Sequence, residues 1–166
     1  SVVRRQRQMC IRDSGDTMHS FATGDVNRDG QVDVYASYGN GYVSPDNGND
    51  DVLWLNQGNP DQHWITFELE GFQSNRDAVG ATVEITGAFG TQVRSVRAGE
   101  SYGMTSTFSC HFGLVATDVV ETATVFWPSG LTTELTMPEV DQYHTVLEVP
   151  CTVPLEITAS VTALCP

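Results

Sequence analysis

One stretch near the start of the chain has the residue types and spacing to bind a hard cation. In D-V-N-R-D-G-Q-V-D-V, residues 25–34, Asp25, Asn27, Asp29 and Asp33 supply side-chain oxygens at alternate positions, Gln31 offers its backbone carbonyl, and Gly30 permits a sharp turn. Side chains at alternate positions converge on one point only if the backbone wraps around it, and a cation is a reason to wrap. A donor set made only of oxygen suits calcium; magnesium, which demands near-octahedral geometry and keeps more water, is the poorer match. The loop begins like an EF-hand, but its twelfth position is Ala36 rather than Glu, and Val32–Tyr35 read as strand where an EF-hand enters a helix. The expectation is therefore a calcium loop on a β scaffold. An Asx-rich turn without metal is the alternative, disfavoured because three neighbouring carboxylates repel one another unless a charge offsets them.

Other constellations carry less. The acidic insert 45–51, P-D-N-G-N-D-D, could add calcium ligands, but a solvated loop between strands is the expected reading. The chain contains no G-x-S-x-G, H-E-x-x-H or C-x-x-C, and His19, His63, His111 and His144 have no recognisable partner spacing. Cys110 stands beside His111, yet neighbours on a strand point to opposite faces, which argues against a nucleophile and base pair. No catalytic residue is assigned, and the chain is expected not to be an enzyme, whatever a longer parent protein does.

The elements that must position these residues read as all-β. Runs rich in Val, Ile, Thr and aromatics recur at residues 32–35, 51–55, 63–69, 81–85, 92–96, 123–127 and 144–149, bounded by Gly, Asn, Asp and Pro. No segment repeats apolar residues at helical spacing through three turns, and 15 Gly with 7 Pro leave little room for long helices. The charge is −13, from 21 acidic residues against 8 basic ones, all Arg. Nucleic acid and anionic membrane are poor partners for such a surface. No apolar run reaches the 18 residues of a membrane span. Residues 1–14 hold Arg4, Arg5, Arg7 and Arg12, show no strand or helix period, and resemble a translated sequencing-adaptor read; they are expected to be an artefact or a disordered arm, with a polyanion-binding arm as the competing reading.

Two resemblances refine this picture. F-A-T-G-D-V-N-R-D-G-Q-V-D-V and the closing V-L-W-L-N-Q-G resemble one blade of the FG-GAP/VCBS β-propeller repeat, here residues 16–60, which implies further blades missing from the chain. S-N-R-D-A-V-G-A, Q-V-R-S-V-R-A-G-E-S-Y, H-F-G-L and V-F-W-P-S-G, within residues 61–150, resemble the ASPIC/UnbV domain. That domain follows FG-GAP repeats in secreted proteins such as the cartilage acidic proteins, so the resemblance implies an extracellular, adhesion-like module, secreted or at the cell surface, whose partner is an extracellular protein or a glycan. The expected fold is an antiparallel β-sandwich-like domain preceded by a single calcium-loop blade.

Within the second segment Asn75-Arg76-Asp77 reads as a polar turn and Gly80 as a point of close strand approach. Arg76 and Tyr102 are the candidate ligand-binding residues, and Tyr102 or Trp127 could stack on a sugar ring, although buried aromatics are commoner in a small sandwich. A carbohydrate-binding accessory module of a secreted degradative enzyme is accordingly the alternative function, which an exposed aromatic platform would favour. Residues 151–166 read as a linker or the start of another domain. In a secreted chain Cys151 and Cys165 would close a disulfide; two free thiols are the alternative.

Overall fold

In a computed structural model of the protein, which describes residues 4–5, 18–38, 50–100, 103–149 and 161–164, the chain is all-β, with no helix among the described residues. The strands are β1 (Arg4–Arg5), β2 (Met18–Gly24), β3 (Asp33–Tyr38), β4 (Val52–Leu55), β5 (His63–Glu70), β6 (Thr82–Gly87), β7 (Gly90–Ser95), β8 (Cys110–Val115), β9 (Thr122–Phe126), β10 (Thr132–Thr136), β11 (Gln142–Leu147) and β12 (Val161–Leu164). They form two compact units. The first takes residues 1–59 and 98–107; the second takes 60–97 and 108–166.

The first unit is one sheet in the order β1-β4-β3-β2, in which β2, β3 and β4 run antiparallel and β1 lies parallel to β4. The cation-type loop is the β2–β3 connection. Ser106 and Thr107, which belong to the first unit although they fall between β7 and β8 in the sequence, serve the free edge of β2: the Thr107 N–H donates to the Thr23 carbonyl at 3.0 Å, and the Thr23 N–H and hydroxyl reach the Ser106 hydroxyl at 3.3 and 3.2 Å. An unpaired sheet edge is thus partly covered, as edges generally must be.

The second unit is a sandwich of a five-stranded sheet, β12-β10-β9-β6-β7, and a three-stranded one, β11-β5-β8. Alternation builds its core. Val83 and Ile85 from β6 and Ala123 and Val125 from β9 meet Ile65 and Phe67 from β5, Cys110, Phe112 and Leu114 from β8, and Val146 from β11 in one buried cluster. Burying each large apolar side chain stabilises by about 1.5–3 kcal/mol. Phe67 and Phe112 meet edge to face at 6.0 Å, and the Arg94 guanidinium lies 5.2 Å from the Phe112 ring centre. Pairing is antiparallel except for β11 with β5, which is parallel. A parallel pair requires β11 to arrive by a crossover rather than a hairpin, a property the alternation pattern does not encode.

If Ser106 and Thr107 seal the edge of β2, the double substitution Ser106→Ala/Thr107→Pro removes both the hydroxyl and the N–H that Thr23 uses. At about 0.5–1.5 kcal/mol per hydrogen bond, amide exchange at Thr23 should accelerate by about tenfold, while the Ile65 and Phe112 amides stay unchanged. Unaltered exchange at Thr23 would contradict the assignment.

Candidate functional site

The loop between β2 and β3 is organised by its own acidic side chains. The Asp25 carboxylate accepts from the backbone N–H groups of Asp29 (3.1 Å) and Gly30 (2.7 Å), and Asp29 accepts from the Gln31 N–H (2.9 Å) and the Asn27 side-chain amide (2.8 Å). Arg28 at φ 58° and Gly30 at φ 82° supply the left-handed residues the wrap requires. Asp25, Asn27 and Asp29 therefore lie in one hydrogen-bonded group at the outer end of the loop, with Asn27 and Asp29 exposed. Asp33 sits elsewhere in the loop. Its side chain is 1% exposed, and its oxygens accept from the Val26 N–H at 2.9 Å and the Asn56 N–H at 2.8 Å, which ties the loop to the end of β4. Gln31 packs its side chain against Gly58, where a Cβ would fall 2.3 Å from it.

Among the described residues no three His, Cys, Asp or Glu side chains converge in a metal-holding group. The donors nonetheless fit calcium in type. Each carboxylate oxygen that accepts one N–H keeps a second lone pair, and the amide of Asn27 and the carbonyl of Gln31 add neutral oxygens.

A second polar centre lies in the sandwich, where sequence reasoning assigned nothing. Glu148, just past β11, is 3% exposed, and its carboxylate accepts five hydrogen bonds. One oxygen takes the consecutive backbone N–H groups of Phe72, Gln73 and Ser74 at 2.7, 2.7 and 2.6 Å; the other takes the hydroxyls of Ser74 and Ser129 at 2.9 and 2.5 Å. Successive N–H groups curled around one point form an anion-binding nest. Burial pushes this carboxyl up, and it is the largest single influence, but the hydrogen bonds from Ser129, Ser74 and Phe72 together outweigh it and hold the group below the ordinary glutamate value. Parity along the strand could have signalled Glu148: it lies two residues after buried Val146, so it shares the core-facing side.

The hub gathers both polar motifs. Asn75 clips Val79 by accepting its N–H and donating to its carbonyl, each at 2.8 Å, and the Ser129 N–H donates to the Ser74 hydroxyl at 3.1 Å. In the turn after β9, Gly130 at φ 90° donates its N–H to the Trp127 carbonyl at 3.0 Å. Gly80 at φ 96° is needed for its backbone conformation rather than for close approach, since a Cβ there would meet Pro128 at an ordinary 3.5 Å.

The remaining candidates separate clearly. Arg76 projects from the turn with a side chain 84% exposed, its guanidinium 3.5 Å from Glu70, and so presents a cation to solvent. Trp127 is buried with its indole N–H on the Thr133 hydroxyl at 2.9 Å, out of reach of a sugar. Cys110 faces the core, where burial raises its thiol pKa to about 11, while His111 bonds Thr66 on the other face. Tyr102, Cys151, Cys165 and the insert at 45–49 lie outside the described residues.

Residues 71–152 match the family described as ASPIC and UnbV, so the chain carries an ASPIC/UnbV domain over that span. No curated protein matches the chain. Among the described residues no helix is long and apolar enough to cross a membrane.

Removing the Glu148 side chain would strand three part-buried N–H groups and two hydroxyls, and Glu148→Ala should cost about 1–3 kcal/mol at neutral pH. Because the folded-state carboxyl lies below the unfolded value near 4.5, its stabilisation is complete above that pH and is lost as pH falls through the folded value. Urea unfolding at pH 7 and pH 4 should show acid destabilisation that is reduced in Glu148→Gln. Equal pH dependence in the wild type and Glu148→Gln would contradict this.

Proposed function

We propose that the protein is a calcium-stabilised extracellular binding or scaffold module, part of a secreted adhesion-like protein, and that it acts by binding rather than turnover. The observation that carries this reading is the ASPIC/UnbV domain at residues 71–152, a domain that occurs in extracellular proteins. The acid-rich loop and the strong negative charge are consistent with it. In this reading the first unit is an FG-GAP/VCBS-type blade whose neighbours are further blades of the same chain, and the secreted or cell-surface partner is a protein or a glycan.

Asp25, Asn27 and Asp29 would hold calcium with their side-chain oxygens and the Gln31 carbonyl would add a neutral ligand, while Asp33, set apart from that group, would support the loop rather than ligate. The ion would supply the positive charge that three carboxylates in nine residues lack. Asp33 would keep its N–H contacts to Val26 and Asn56 and so hold the loop in shape.

An ion bound only by the folded loop raises stability by mass action. The protein should melt at a higher temperature in millimolar calcium than in chelator, and Asp29→Ala should abolish the difference; identical melting in calcium and chelator would overturn the calcium reading.

A further inference from the structure

The strand β11 is fastened to the second unit in a way that lets it detach as a piece. It lies at the end of the three-stranded sheet and pairs with β5 alone, in the parallel arrangement that is the weaker of the two per residue. Of its six residues only Val146 is buried, so the core receives one side chain from the whole strand. Its hold comes from the two residues that bracket it. Asp141 donates its N–H to the Trp64 carbonyl at 2.6 Å and accepts the Trp64 N–H on its carboxylate at 3.1 Å. Glu148 repeats the pattern at the other end, with its N–H on the Glu70 carbonyl and its carboxylate in the nest of Phe72, Gln73 and Ser74. These contacts fix the register of β11 against β5. A detached β11 therefore has one seat that fits it, and every copy of the chain carries that seat.

The connection from β10 gives the strand a reason to leave. Residues 137–141 carry the chain from the five-stranded to the three-stranded sheet and hold Met137 at φ 48° and Asp141 at φ 58°. Asp tolerates the left-handed region, whereas Met is strained there. Met137 is also 66% exposed, so burial of its side chain does little to offset the strain. Extending these five residues relieves it and lets them span about 17 Å. A short strained hinge beside an edge strand is the arrangement that favours exchange of an identical element between two copies.

We propose that two copies of the chain exchange β11 together with the residues after it, through an opened 137–141 hinge, so that each Glu148 seats in the nest of the other copy. The partner is the chain itself, and the exchange stands apart from the cation loop and from any extracellular ligand. The full chain, concentrated, passed through urea near its unfolding midpoint and returned to buffer of moderate salt that screens the repulsion between two copies at −13, should yield a dimer whose share rises with protein concentration in sedimentation runs. Glu68 and Thr145 stand directly opposite across β5 and β11. When a Glu68→Cys variant and a Thr145→Cys variant are mixed and taken through the same cycle, a disulfide between positions 68 and 145 of different chains, identified by peptide mass, forms only where β11 of one copy lies on β5 of the other. Met137→Gly, which suits the left-handed conformation and removes an exposed side chain, should cut the dimer share by about threefold or more. A protein that stays monomeric at every concentration, a dimer without the link between positions 68 and 145, or an equal dimer share in the wild type and Met137→Gly would overturn the proposal.

Discussion

The carboxylate of Glu148 is the constraint on which the sandwich's polar architecture depends. A buried charge is costly unless it is fully hydrogen-bonded, and this one is met by three backbone N–H groups and two hydroxyls drawn from two separate turns. It ties the end of β11 to the segment after β5 and to the turn after β9. Glu148 also donates its own N–H to the Glu70 carbonyl at 2.9 Å, which extends the parallel pairing of β11 with β5 by one step. S-N-R-D and W-P-S-G, far apart in sequence, are joined through Ser74, Ser129 and Glu148.

That arrangement leaves β5 and β8 with two unlike faces. The core side of β5 and β8 is occupied by Ile65, Phe67, Phe112 and Leu114, whereas the reverse side carries Trp64, Thr66 and His111. The first unit follows the same logic with a different carboxylate. Asp33 is buried on two N–H groups and holds the loop to β4, while Asp25, Asn27 and Asp29 gather at its outer end.

Much of the strand pattern was legible because burial alternates along it. The runs in β6 and β9 read as strands for that reason, and those in β5 and β11 by their content of Val, Ile, Thr and aromatics. β10 is faint in the sequence, since T-T-E-L-T offers only Leu135 as an apolar signal, whereas β8 buries Cys110, Phe112 and Leu114 in strict alternation but is short and broken by Gly113 on its exposed side. Ser106 and Thr107 give no sign in the sequence that they join β2, because pairing of distant edges leaves no local period. The loop at 25–33 was legible as a turn built by Asp, Asn and Gly, yet the division of labour between a buried Asp33 and an exposed Asp29 follows only from tertiary contacts. Glu148 lies inside the strand-like run 144–149, but which donors meet its carboxylate follows only from tertiary contacts.

The central claim is that Glu148 stays ionised while buried because its five partners outweigh the cost of burial. Site-resolved carbon NMR of the side-chain carboxyls, followed through an acid titration of the folded protein, measures this directly. The Glu148 carboxyl should protonate at lower pH than an ordinary glutamate. Protonation of Glu148 at or above the ordinary glutamate value would show that burial prevails over the hydrogen bonds and would contradict the account.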